Sequence, residues 1–394
     1  MTYLQHLPLE LIEAILKYLR PRSLRATIRT AKFLRTPGER KLYSRVFLPI
    51  DRFATKRLWK IQVRFLNTVL ENDRLAQHVV KLVLGDSDPS AEGDAQINHV
   101  LGQAMEKMIN LKQLKIFGHP YIVHAHLDCV PFSLTHLFIS GERFSDTAPV
   151  PELIPILRAH PNLEELAVDC MEFPPDLVLA LKEEQQGLVP ESGILCPRLK
   201  RFDGYDEGLR LLLPMRKIRS GTALVHSGAN DVDNDSIMGL WLTPVLISSY
   251  QYLRVLEVWP NHGKNPSFLV TIAPFLTSLT HLQILDDILS LHPQHYLLHL
   301  LCRLPALESI TLTTRGGKSL TLVTSALQDV VRLVHTVCPN ISKIYVGGEA
   351  PLSNVVYYGY DTKGQGVEIS LVSQEVACRP YARWILEYLD GCRS

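Results

Sequence analysis

"PNLEELAVD" (Pro161–Asp169) is the stretch on which the fold turns. A Pro-Asn pair, a turn signal, leads into Leu163, Leu166 and Val168. The spacing is apolar, two variable, apolar, one variable, apolar. Its second half alternates, which puts Leu166 and Val168 on one face of a short strand and Glu165 and Asp169 on the other. One such strand has nothing to pack against, so the question is whether the pattern repeats.

It does. The copies are "VVKLVL" (Val79–Leu84), "LKQLKI" (Leu111–Ile116), "LTHLFI" (Leu134–Ile139), "LEELAV" (Leu163–Val168) and "LKRFDG" (Leu199–Gly204). Further on come "LRVLEV" (Leu253–Val258), "LTHLQI" (Leu279–Ile284), "LESITL" (Leu307–Leu312) and "ISKIYV" (Ile341–Val346). Subtracting start positions puts them roughly 23 to 36 residues apart, except for one gap of 54 after Leu199. That gap is about two periods, so a degenerate unit is expected near "GTALVHS" (Gly221–Ser227). Helical stretches run between strands, as in residues 98–109, 151–160, 295–304 and 325–337. A strand with one returning helix cannot bury its own apolar face, but stacked neighbours bury a continuous ladder.

This is the leucine-rich-repeat signature in loose form, and the chain resembles that class of solenoid. The asparagine usual in such repeats is mostly absent, with Asn261 the one clear fit. The resemblance implies an irregular α/β solenoid of short parallel strands and helices over 76–350. An ordinary α/β domain with similar strands is the alternative. "VVYYGYDTKGQGVEISLV" (Val355–Val372) reads as a β-hairpin and "YARWILEYL" (Tyr381–Leu389) as an amphipathic helix; over 351–394 they would cap the last repeat.

The chain opens differently. In "LPLELIEAILKYLRP" (Leu7–Pro21), Pro8 suits a helix start and Glu10 favours the dipole of the first turn. Leu11, Ile15 and Leu19 form one stripe, with Leu9, Ile12 and Leu16 beside it, a face wider than one packing partner needs. Arg20-Pro21 should end this helix. Ser23 is expected to cap a second, with Leu24, Ile28 and Ala31 inward, and a third is expected from Pro37 to Val46. Three short helices cannot bury so much apolar surface by themselves. Either the segment caps the following repeats or it docks another protein.

The register of Leu7, Pro8, Glu10, Leu11, Ile12, Ile15, Leu16, Leu19 and Leu24, followed by Leu42, Tyr43, Val46 and Leu48, resembles the F-box, in its fungal form. The resemblance covers roughly the first fifty residues. It implies a three-helix module over 1–50 that binds the Skp adaptor of cullin–RING ubiquitin ligases. The contacts would come from Leu7, Pro8, Leu11, Ile12, Ile15, Leu16, Leu19 and Leu24. A helical linker or cap would fill 51–75.

Composition narrows the rest. Of 394 residues, 46% are hydrophobic and 21% charged, which is globular rather than disordered. A net charge of +1 argues against a nucleic-acid partner. Seven cysteines with no CxxC pair point away from a disulfide framework or a zinc site and toward the cytoplasm or nucleus. Neither a signal peptide nor a membrane span is expected, because the longest uncharged run, Asn265–Leu285, is broken by prolines, a histidine and hydroxyl residues.

Chemistry-bearing motifs are missing: there is no GxGxxG, P-loop, GxSxG or HExxH. "DVDND" (Asp231–Asp235) fails as a calcium loop because Ser236 and Leu242 replace the required glycine and glutamate. The pairs His124/His126 and His295/His299 lack a third ligand. The expectation is therefore a binder without cofactor or metal, and not an enzyme. The variable strand positions would line one solenoid face: Lys115, Phe117, His136, Phe138, Glu165, Asp169, Arg201, Asp203, Glu257, Trp259, Gln283, Lys343 and Tyr345. That face would hold a protein substrate for an SCF-type (Skp–cullin–F-box) ligase. The alternative is a repeat scaffold that does not support ubiquitylation.

Overall fold

The computed structural model describes residues 7–48, 55–84, 91–117, 127, 130–140, 153–169, 175–187, 194–225, 241–260, 267–285, 299–314, 338, 340–348, 356–361 and 366–371. The chain divides into two compact units, Met1–Ala167 and Val168–Ser394.

The first unit begins with three helices, α1 (Leu9–Lys17), α2 (Pro21–Thr30) and α3 (Lys32–Tyr43). Ile12, Leu16 and Leu24 form their buried centre, with Leu7, Leu19, Ile28, Phe33, Leu34 and Leu42 packed around it. Pro8 caps α1 rather than entering it. Arg20 is extended, as the residue before a proline prefers, and Pro21 opens α2, so Ser23 lies inside the first turn instead of capping it. The third helix starts five residues before the expected Pro37, and Ala31 is its extended N-cap rather than part of the inner face of α2. Packing explains the early start. Pro37, Gly38 and Glu39 are all buried, and a Cβ on Gly38 would run into Ile28 Cγ2, so the glycine lets α2 and α3 approach closely.

Strands follow: β1 (Arg45–Phe47), β2 (Lys81–Leu84), β3 (Gln113–Phe117), β4 (His136–Ser140) and the start of β5 (Glu165–Asp169). Neighbours β1 to β4 pair parallel in chain order. Strand β1 was not expected, since Arg45–Phe47 falls where the third helix was to end. It belongs to the repeat ladder all the same. The Ser44 carbonyl accepts from both Val80 and Lys81 N–H, as the Val80 carbonyl does from Lys112 and Gln113 and the Lys112 carbonyl from Thr135 and His136. Helices α4 (Thr55–Leu70), α5 (Asp73–Ala76), α6 (Ala91–Lys107) and α7 (Leu153–Ala159) fill the returns. Asn72 caps α5 through its side chain.

Helix α3 ties the three-helix module to the first repeat. Buried Glu39 takes Arg35 at 3.1 Å and also pairs with Arg74 of α5, and the two guanidinium partners outweigh burial to hold its carboxyl below the usual range. Tyr43 stacks on Phe65 of α4 with ring centroids 6.4 Å apart.

The second unit contains α8 (Pro175–Gln185), β6 (Arg201–Tyr205), α9 (Asp206–Leu212), β7 (Ser220–Val225), α10 (Pro244–Tyr250) and β8 (Val255–Pro260). It continues with α11 (Ser267–Ile272), a 3-10 turn (Ala273–Phe275), β9 (His281–Leu285), β10 (Ser309–Thr314) and β11 (Lys343–Gly348). Strands β6 to β11 pair parallel, again in chain order. Strand β7 is the degenerate unit that the long gap called for. Strands β12 (Val356–Asp361) and β13 (Gly366–Leu371) form the expected antiparallel hairpin on β11. The segment Asn265–Leu285 breaks into α11, the turn and β9. Among the described residues no helix is long and apolar enough to cross a membrane.

Every repeat buries its pattern. The leading residues Val79, Leu111, Leu134, Leu163, Leu199, Leu253, Leu279, Leu307 and Ile341 are all buried. Phe202, Leu256, Leu282, Ile310 and Ile344 then line up across the strands of the second unit, with Gly221 of β7 standing in register between the first two. A Cβ at Gly221 would press on Leu209 of α9, so this helix packs directly on the strand backbone. Below β6 a buried ion pair joins Arg216 to Glu184 at 2.7 Å. Arg216 also donates to the Leu195, Leu212 and Pro214 carbonyls, and Glu184 accepts the Leu195 N–H, so the pair is well satisfied.

The region 325–337, the expected helix over Tyr381–Leu389, Asn261, the acidic segment Asp231–Asp235 and His124, His126 and His295 lie outside the described residues.

Candidate functional site

Two surfaces depart from the ordinary rule that apolar groups are inside and polar groups outside. The first is α1. Its inner face gives Ile12 and Leu16 to the core, while Leu19 and Leu7 pack at the edge. The outer face carries Leu11 at 51% exposure, Ile15 at 50% and Tyr18 at 86%, with Leu9 and Pro8 also exposed. Residues 11, 15 and 18 are spaced four and three apart, so they share one stripe. Arg40 of α3 pairs with Glu13 at 2.9 Å and holds the helix on its other side. Of the eight positions expected to contact an adaptor, Leu11, Ile15 and Pro8 therefore face outward. Ile12, Leu16 and Leu24 hold the module together. Tyr18 was missed by the sequence reading, although it lies seven residues after Leu11 on the same stripe.

The second surface is the strand face opposite the apolar rows. In the first unit it carries half-buried Lys115, whose Nζ lies 5.9 Å from the centroid of the buried Phe138 ring. His136 Nε2 lies 3.4 Å from Glu165 Oε1. Phe117 and Asp169 belong to β3 and β5, and their side chains are outside the described residues.

In the second unit the register aligns one residue from each strand: Asp203, Thr222, Glu257, Gln283, Thr311 and Tyr345. A flanking row holds Arg201, Ser220, Val255, His281, Ser309 and Lys343. The variable positions singled out in the sequence thus do share a face here. They were expected to be exposed, and that part is corrected: Asp203, Glu257, Gln283 and Tyr345 are buried, as are Thr222, Ser309 and Thr311, while Arg201 and Trp259 are half-buried and Lys343 is exposed. Side chains 4.8 Å or so apart on adjacent strands screen one another from water.

A hydrogen-bonded chain crosses three strands. Arg201 Nε donates to Asp203 Oδ2 at 2.8 Å, and Thr222 Oγ1 lies 2.8 Å from Asp203 Oδ1 and 3.3 Å from Glu257 Oε2. Trp259 Nε1 donates to Glu257 Oε1 at 2.6 Å. Burial pushes the Glu257 carboxyl up to about 7, against the opposing pull of the Trp259 hydrogen bond and with help from the nearby Asp203. Among the described residues the chain goes no further than Glu257, and Gln283 Oε1, Ser309 Oγ and Thr311 Oγ1 are buried without a hydrogen-bond partner. Thr222, Ser309 and Thr311 were passed over in the sequence because small hydroxyl residues on a strand read as an ordinary wet face.

Among the described residues, no group of three or more His, Cys, Asp or Glu side chains could hold a metal ion. Cys196, Cys302 and Cys338 are not joined in disulfides, and burial raises Cys196 to about 12 and Cys338 to about 11.

No known family model matches this chain, and no curated protein matches it. Among solved structures it is similar to the leucine-rich repeat-containing protein LegL7 from Legionella pneumophila, with 13% sequence identity and a TM-score of 0.40 over 77% of this chain and 90% of that one.

Proposed function

We propose that the chain is a non-catalytic, protein-binding subunit of an SCF-type ubiquitin ligase, acting in the cytoplasm or nucleus. Helix α1 docks the Skp adaptor, and through it the cullin–RING assembly, while the strand face holds a protein substrate. The observation that carries this reading is the outward stripe of Leu11, Ile15 and Tyr18 on a helix whose opposite face already has its core. A patch of large apolar side chains on an otherwise ordinary surface marks a protein interface. Catalysis would come from proximity alone, since a tethered substrate meets the ligase-bound conjugating enzyme at high effective concentration.

The N-terminal cap reading has one observation in its favour, the anchoring of α3 on the first repeat through Glu39–Arg74 and Tyr43–Phe65. A cap, however, gains nothing from apolar residues on the side facing away. A scaffold that binds the adaptor without supporting ubiquitylation shares the same docking surface, and a ubiquitylation assay of the assembled complex separates it from a ligase subunit.

The test is co-expression with a Skp adaptor followed by size-exclusion chromatography. The wild-type chain should elute as an equimolar complex, and Leu11→Asp with Ile15→Asp should elute alone with an unchanged melting temperature. A wild-type chain that never captures the adaptor, or a double variant that still does, overturns the docking assignment.

A further inference from the structure

Charge is distributed unevenly along this chain. Residues 7–48 hold ten lysines and arginines against three acidic residues, a net of +7, and since the whole chain is +1 the rest carries −6. Between Glu13 and Glu39 seven of those cations follow one another with no acidic residue among them. Arg22, Arg25 and Arg29 stand three and four apart, so they form one row along α2, and all three are exposed. Leu24 and Ile28 supply the inner side of the same helix. The row is about 10 Å long, at ~1.5 Å of rise per residue.

The row costs the free chain stability. Like charges at these spacings repel. Arg22 lies in the first turn and Arg20 at the N-cap, the end of the helix dipole that favours anions, and that turn holds no acidic residue. The carboxylates of the module are engaged elsewhere: Glu39 by Arg35 and Arg74, and Glu13 by Arg40. Among the described residues Arg22, Arg25 and Arg29 make no ion pair. The repulsion is relieved only by an anion from outside.

We infer that the Arg22–Arg25–Arg29 row is a docking surface for an acidic, Asp- and Glu-rich segment of a protein partner. It is a second surface beside the apolar stripe of α1, and it stands or falls without that stripe. A guanidinium is suited to it, since its planar fork meets a carboxylate through two parallel hydrogen bonds. Two other polyanions fit the module less well. A nucleic acid strand would place only about three phosphates over a row of this length, at ~3.4 Å per phosphate, and would then run over a chain whose remaining charge is −6. An anionic bilayer reaching for Leu9 and Leu11 would press on Glu10, which lies exposed between them.

The probe is a fluorescein-labelled decaglutamate peptide, with decaglutamine as its neutral counterpart, read by anisotropy on the full-length chain. Decaglutamate should bind at about 0.15 M salt and be released at about 1 M, where the screening length falls from ~8 to ~3 Å. Arg22→Gln with Arg25→Gln and Arg29→Gln should weaken it about tenfold, the scale of three exposed ion pairs. The same variant should melt at or slightly above the wild-type temperature, because like-charge repulsion is removed. Arg198→Gln with Arg219→Gln and Arg254→Gln removes three exposed cations from the second unit and should leave binding unchanged. No binding of decaglutamate, equal binding of decaglutamine, or equal losses in the two triple variants overturns the proposal. So does tighter binding of a ten-residue oligothymidylate or of phosphatidylserine–phosphatidylcholine vesicles that the α2 variant abolishes, which would give the row to a nucleic acid or a membrane. Self-association of the chain that the α2 variant abolishes would give it to a second copy. Adaptor capture through α1 is read separately. Capture without decaglutamate binding ends this inference and leaves the docking reading intact; decaglutamate binding by a chain that captures no adaptor does the reverse.

Discussion

Helix α1 and the strand row from Asp203 to Thr311 break the burial rule in opposite directions. One leaves Leu11, Ile15 and Tyr18 in water; the other takes Asp203, Glu257, Gln283 and two hydroxyls out of it. Both arrangements cost stability in the isolated chain, since apolar area stays hydrated in the first and polar groups lose water in the second. What differs is how the cost can be recovered. Three residues on one helical stripe are already shaped for a groove and need only a partner. The strand row is closed by its own neighbours and only half-satisfied by hydrogen bonds within it.

That contrast can be broken in order of effect. The largest is on adaptor binding: Leu11→Asp with Ile15→Asp should lower affinity at least a hundredfold, since charges at two hot-spot positions would be buried unpaired. Pull-down at matched concentrations reads it. Next is the difference between the two faces of the same helix. Leu16→Ala should cost ~2–5 kcal/mol in urea unfolding, because Leu16 is 2% exposed in the three-helix core. Leu11→Ala should change stability by less than ~0.5 kcal/mol. Equal costs would mean that α1 is clasped on both sides.

The third effect is pH, and here the two units carry opposite signs. Glu257 has a folded value raised to about 7 from 4.5, so it favours the folded state below 4.5, and that stability is lost as pH rises through 7. The loss amounts to about 3 kcal/mol by pH 8. His160 in the first unit is fully buried, stacks on Phe132 with centroids 5.9 Å apart, and accepts the Leu134 N–H at its Nδ1. Burial pushes it down to about 4 from 6.5, so its unit is fully stable above 6.5 and weakens as pH falls toward 4. Hydrogen-exchange protection factors, corrected for intrinsic rates, should therefore fall in β7–β9 from pH 5 to pH 8 and rise in β4 over the same interval. Parallel changes in both would remove the assignment of either group. The smallest effect is Thr311→Val. It removes an unpartnered hydroxyl and keeps the shape, so the free chain should be unchanged or up to ~1 kcal/mol more stable by thermal melting. A destabilised variant would show that the hydroxyl is satisfied in the free chain.

Much of the architecture was legible because repeats force it to be. A strand whose face must pack on the next strand has to repeat its apolar spacing, so nine copies located nine strands, and the long gap located β7 at Ser220–Val225. Strand β1 was lost because Val46 and Leu48 follow directly on a helical pattern, and its parallel pairing with β2, with the Ser44 carbonyl bonded like those that precede β3 and β4, shows it to be part of the ladder. The boundaries of α2 and α3 were misread for a related reason. Ser23 and Pro37 are local signals for a helix start, and the close α2–α3 approach at Gly38 overrode them.

The polar row was half legible. Alternation placed Asp203, Glu257 and Gln283 on one face, but nothing in one strand's sequence says how tightly the next strand's side chain closes over it.

By itself, the amino-acid sequence determined where the strands after β1 lie, which of their residues face the core, and that the first helix has more apolar surface than it can use. Periodicity is a local property, set by the pleat and the helical turn. Tertiary structure alone decided that Ile12 and Leu16 turn inward while Leu11 and Ile15 turn out, because six apolar residues on one helix permit several docking angles and only the packing of α2 and α3 selects one. It also decided that Thr222 would stand between two carboxylates with one hydrogen to share, since that contact joins residues 19 and 35 positions apart in the chain and exists only once the strands are in register.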